Sequence, residues 1–85
     1  MQLKGKVIKV LPVVTGTGKN GTWHKQEFVI EHGDAEHKRS ACFTLMNDKT
    51  SQAPFDRTNV TVNFEIESRE YNGRYFTNLL AWKVE

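Results

Sequence analysis

Arg69, Tyr71, Arg74 and Phe76 lie within the eight-residue stretch REYNGRYF. Flat rings stack on nucleobases and guanidinium groups pair with phosphate, so these residue types can hold a single nucleic-acid strand without breaking any bond. The Asn72-Gly73 pair at the centre is the strongest short signal for a two-residue hairpin turn. Loop length sets register, so Tyr71 should face Arg74, Glu70 should face Tyr75, and Arg69 should face Phe76. Further down, Ile66 faces Leu79 and Phe64 faces Ala81, which makes the core side. Alternation then gathers Arg69, Tyr71, Arg74 and Phe76 on the opposite face. The competing account is that they are cross-strand pairs serving the hairpin itself, an arginine over an exposed ring being worth about 0.5–1 kcal/mol. The segment from Glu65 to Tyr75 is net negative, so stacking, with arginine making selective phosphate contacts, would have to carry any binding.

A second stretch, TGTGKNGT, resembles a phosphate loop at first sight. Val13 occupies the position of the first required glycine, Asn20 follows Lys19, and a strand rather than a helix comes next, so nucleotide hydrolysis is rejected. Three glycines with Lys19 suit a mobile arm, and Trp23 and Lys25 stand at its exit. Trp23 either plugs the barrel end or stacks on a base. His24, His32 and His37 with Cys42 match no zinc spacing. The carboxylates Glu27, Glu31, Glu65 and Glu67 lack a catalytic partner, so no active site assembles. Of the basic pair Lys38-Arg39, alternation sends Arg39 with Phe43 to the core face and Lys38 with Cys42 and Thr44 to the other, which makes Lys38 the groove candidate.

The elements that must position these residues read as five β segments. The first spans about Leu3 to Val14, with Pro12 marking its end or an edge. The second, Trp23 to His32, sends Phe28 and Ile30 to one face and Lys25, Glu27 and Val29 to the other. The third, His37 to Met46, sets Ala41, Phe43 and Leu45 against Cys42, Thr44 and Met46. Asp48 is placed to cap a short helical turn that ends before Pro54. The fourth sets Val60, Val62, Phe64 and Ile66 against Thr61, Asn63, Glu65 and Glu67, and the fifth returns from Tyr75 to Val84. Five strands with a short helix or loop between the third and fourth predict an all-β, five-stranded Greek-key barrel of the OB type. An SH3-like barrel is the competing arrangement.

Composition sets the bounds. The chain has 85 residues and a net charge of +2, so one domain over residues 1–85 is expected, with no broad basic footprint. Such a chain buries only about 60–65% of its unfolded surface, enough for one small core. A lone cysteine fits a reducing cytoplasm. Lys9 interrupts the apolar N-terminal stretch, which alternates like a strand rather than a leader, and no apolar run approaches the roughly 18 residues of a membrane span.

The segments GKVIKVLP, TGTGKNGTWHKQEFVIE, IESREYNGRYFTN and AWKVE resemble a family of small bacterial OB-fold proteins, chiefly of the Bacteroidetes and their mobile elements. That family is described as a domain of unknown function and likened to single-stranded-DNA-binding proteins. The resemblance covers almost the whole chain. It implies an OB barrel and single-stranded nucleic-acid binding, carried onto Lys19, Trp23, Lys25, Arg69, Tyr71, Arg74 and Phe76. Met46 stands where the family commonly has an aromatic, and Leu80 where a polar residue is frequent. The expectation is a cytoplasmic, non-enzymatic protein that binds single-stranded DNA, or RNA, without cofactor or metal. A homo-oligomer is expected through the Leu80/Trp82 face. The alternative is a protein-interaction or assembly module on the same scaffold.

Overall fold

The computed structural model describes all 85 residues. Six strands form: β1 (Gln2–Val10), β2 (Val14–Gly18), β3 (Gly21–Gly33), β4 (Lys38–Met46), β5 (Asn59–Tyr71) and β6 (Arg74–Val84), with a 3-10 helix over Asn47–Gln52. The sheet runs β1-β5-β6-β4-β3-β2, and β1 also pairs with β3. That extra pairing closes five strands, β1, β3, β4, β6 and β5, into a barrel and leaves β2 outside it. Strand β1 pairs with β5 through Gln2–Lys6 and with β3 through Lys6–Val10, and a register shift between Val7 and Lys9 lets it bend from one partner to the other. The remaining seam is a parallel contact between β4 and β6 at Thr44 and Leu80. With a short helix between the third and fourth barrel strands, this is the five-stranded Greek-key OB fold.

The inward residues are those that alternation selects: Val7, Phe28, Ile30, Phe43, Leu45, Val62, Phe64 and Ala81 form the buried core. Phe28 lies opposite Phe43 in the β3–β4 ladder, with ring centroids 5.6 Å apart, and Phe43 meets Phe64 edge-on at 5.0 Å. Three rings from three strands therefore fix the centre of the barrel.

Four expectations from the sequence are corrected. The first segment is not continuous to Val14. It ends at Val10, because Pro12 has no N–H to extend the ladder, and Val14 begins a new strand. The TGTGKNGT stretch is not a mobile loop but the β2–β3 hairpin, its strands paired from Val14↔Lys25 to Gly18↔Gly21 around Lys19 and Asn20. The turn closes because Gly21 adopts a φ of 105°. Asp48 does not cap the 3-10 helix. Met46 holds the cap position without a side-chain bond, and Asp48 falls in the first turn. Finally, Ile66 faces Leu79 as expected, yet it is exposed, because the β5–β6 hairpin runs out past the end of the barrel. That projection shows in the dimensions: the radius of gyration is 13.7 Å, against about 12 Å for a compact chain of this length.

Candidate functional site

Two hairpins flank a cleft of about 520 Å³ on the outer face of the barrel. One wall is β3, where Trp23, Lys25 and Glu27 take the outward positions because Phe28 and Ile30 take the inward ones. The other wall is the start of the β5–β6 hairpin, with Glu67, Arg69 and Asn78. Thr44 and Met46 of β4 and Leu80 of β6 line the space between the walls, because these are the two strands that the parallel seam joins. The site depends on barrel closure: its walls lie forty or more residues apart in sequence and meet only through that seam.

Trp23 is fixed by what lies beneath it. It pairs with Gly16 across the β2–β3 ladder, and a Cβ on Gly16 would overlap its indole ring. The ring lies over the hairpin on the cleft side and does not plug the barrel end. On the opposite wall, Arg69 Nε donates to Glu67 Oε1 at 2.6 Å, which orients the guanidinium. Glu27 accepts a long hydrogen bond, 3.6 Å, from the Cys42 thiol. Partial burial, the Glu27 charge and that bond together hold the thiol pKa above its ordinary value. Two cations and two carboxylates line the cleft, so their formal charges cancel.

The arm beyond the cleft has the register that Asn72-Gly73 dictates: Tyr71↔Arg74, Glu70↔Tyr75, Arg69↔Phe76, Ile66↔Leu79 and Phe64↔Ala81. Both turn residues have positive φ, 51° at Asn72 and 78° at Gly73, the sign pattern of a type I′ turn. Tyr71 is 69% and Phe76 53% exposed. The ring–ring contacts of the chain are both in the core, so neither exposed ring packs on another. Arg69 belongs to the cleft and to the arm, and links them into one surface.

Not every candidate joins that surface. Lys19, at the β2–β3 turn, lines a smaller concavity that shares Trp23 with the cleft. Lys38 stands at the far end of β4, opposite Gly33. It pairs with Glu31 at 3.7 Å and lies outside the cleft lining. Leu80 lines the cleft, whereas Trp82 is not part of its lining. Sequence reasoning missed Thr44 and Asn78, and read Glu27 and Glu67 as plain strand-face carboxylates. The register Glu67↔Asn78, available from the Asn-Gly turn, carried the signal for one of them.

Residues 2–85 match the family model described as Domain of unknown function (DUF3127). No curated protein matches the chain significantly. Among solved structures, the second OB-fold domain of replication protein A from Methanococcus maripaludis superposes with a TM-score of 0.70 at 14% identity, covering 99% of this chain and 79% of that one. A small single-stranded DNA-binding protein from Streptomyces coelicolor gives a TM-score of 0.49 at 16% identity, over 100% of this chain and 90% of that one. At such identity the first likeness is one of fold.

Proposed function

Since the chain belongs to the DUF3127 family, whose description names no function, we propose from its site that it is a non-catalytic protein that binds single-stranded nucleic acid, DNA in the first instance. One observation carries this reading: a cleft with an aromatic wall at Trp23 runs through Arg69 onto an arm that exposes Tyr71, Arg74 and Phe76 on the same face. Bases stack on Trp23, Tyr71 and Phe76, and each such stack is worth about 1–3 kcal/mol. Lys19, Arg69 and Arg74 meet phosphates, Lys25 reaches the ligand from the cleft wall, and Lys38 is a peripheral contact at most. The replication protein A domain with the similar fold supports the choice of scaffold, because OB folds bind oligonucleotides across this face and between these loops.

The test is fluorescence anisotropy with a labelled single strand of mixed sequence at two salt concentrations. If about three phosphates are neutralised, log affinity falls with log salt at a slope near −2. Absence of binding at protein concentrations on the order of tens of micromolar in low salt, where even non-specific complexes form, would reject the reading.

A second reading, assembly through a protein surface, is favoured by Trp82, which is 46% exposed on β6. In that case Trp82→Ala changes the mass measured by light scattering and leaves oligonucleotide binding unaltered. No helix of the chain is long and apolar enough to cross a membrane.

A further inference from the structure

We propose that the cleft discriminates among bases and prefers guanine, an inference that rests on the single-stranded nucleic-acid reading above. Each long wall carries a cation and a carboxylate two residues apart on one strand face: Lys25 with Glu27 on β3, and Arg69 with Glu67 on β5. The cancelling charges give the interior of the cleft little net pull on phosphate, which falls to the arm that Arg69 begins. A donor beside an acceptor suits a ligand edge that presents the reverse pattern.

The two pairs are in different states. Glu67 and Arg69 are bonded to each other at 2.6 Å. Lys25 and Glu27 form no ion pair with one another or with any other residue. Glu27 Oε2 receives only the long bond from the Cys42 thiol, and its other oxygen has no partner. Trp23 lies on the same face two residues before Lys25. Strand β3 therefore presents, in succession, a ring to stack on, an ammonium to donate and a carboxylate to accept.

In a single strand the Watson–Crick edge of a base is open to such contacts. Guanine presents O6 beside N1–H and the N2 amino group, so a carboxylate takes two N–H bonds while an ammonium reaches O6. Adenine and cytosine offer one amino donor beside a ring-nitrogen acceptor. Thymine offers one N–H between two carbonyl oxygens, which face a carboxylate unfavourably. The expected order therefore places guanine first and thymine last. One bidentate pair is worth about tenfold or more in discrimination. Thr44, opposite Glu27 in the β3–β4 ladder, and Leu80 border the same space and leave the edge-reading to the charged pair.

The experiment compares three labelled strands of about 12 nucleotides, within the roughly 4–16 nucleotides an OB fold occupies: repeats of dT-dT-dG, the same repeats with deoxyinosine for dG, and oligo-dT. Inosine keeps O6 and N1–H but lacks the N2 amino group. The dG strand should bind about tenfold more tightly than oligo-dT, with the inosine strand between them. Glu27→Gln should bring the dG and inosine strands together while leaving the thermal midpoint unchanged. Equal affinity for all three strands, or a dG preference that survives Glu27→Gln, overturns the inference and leaves nucleic-acid binding standing. Binding of none of them overturns both.

Discussion

Gly16 on β2 lies opposite Trp23 on β3, and the indole occupies the space that a side chain at position 16 would need. The same ring passes Gly18 at a distance where a Cβ would make ordinary contact, 3.6 Å from Cδ1. The two glycines therefore differ in what they permit. Gly16→Ala should drive the ring out of its place and weaken oligonucleotide binding by the value of one stack, about 1–3 kcal/mol. Gly18→Ala should bind like the unaltered protein. Anisotropy titrations of both variants, with tryptophan emission to report the ring's environment, check the pair.

Gln52 bridges the 3-10 helix to an irregular point of β6. Phe64 faces Ala81 while Asn63 faces Lys83, so Trp82 is the extra residue of a bulge. Gln52 Nε2 donates to the Trp82 carbonyl at 3.2 Å, and its Oε1 accepts from the Val84 N–H at 3.0 Å. One amide thus serves both sides of the bulge that the ladder cannot pair. Gln52→Ala should cost about 1–3 kcal/mol in urea unfolding, two bonds at roughly 0.5–1.5 kcal/mol each. Ser51→Ala, which removes only a bond to the Asp48 carbonyl within the same helix, should stay within about 0.5 kcal/mol.

The reach of the sequence follows from which interactions are local. The β5–β6 register was legible because Asn72-Gly73 fixes it from within, and Phe64, Phe43 and Phe28 were legible as core because each falls on the more apolar side of its strand's alternation. Strand β2 was not. Thr15, Gly16, Thr17 and Gly18 have no apolar alternation, and the strand exists because β3 supplies its hydrogen bonds. The exposure of Ile66 depends on where the barrel ends beneath the hairpin, which is a tertiary fact. Lys38 shows the same limit: alternation assigned it a face but not a place along β4, and its place is the end away from the cleft. The joining of Glu27 and Glu67 in one cleft required the Thr44–Leu80 seam, a contact between strands distant in sequence.

Cys42 supplies a pH prediction. Partial burial, then the Glu27 charge and hydrogen bond, raise its pKa above the ordinary value of 9.0. The folded chain therefore keeps the thiol proton to higher pH than the unfolded chain does. Its contribution to stability is full below the unfolded thiol's pKa and is lost as pH rises through the folded one. Urea midpoints measured from neutral to about pH 10 should fall less steeply in Cys42→Ala than in the unaltered protein. Glu27→Gln removes the charge, so iodoacetamide should alkylate Cys42 faster in that variant at mildly alkaline pH.

Tyr71 and Phe76 separate binding from stability. They stand on an arm that has left the barrel, at 69% and 53% exposure, so truncating them removes little buried surface. A role confined to the hairpin would make their loss a matter of cross-strand pairing, about 0.2–1 kcal/mol for a pair. A role as stacking surfaces makes it a matter of affinity, at about 1–3 kcal/mol for each ring. The double variant Tyr71→Ala/Phe76→Ala should therefore bind a single strand at least about thirtyfold more weakly. Its urea midpoint should stay close to that of the unaltered protein. Loss of stability with unchanged affinity would assign the rings to the hairpin. Loss of affinity with unchanged stability assigns them to the ligand, and comparing Arg74→Gln in the same titration shows whether the arm also meets phosphate, through a salt slope shallower by about 0.7.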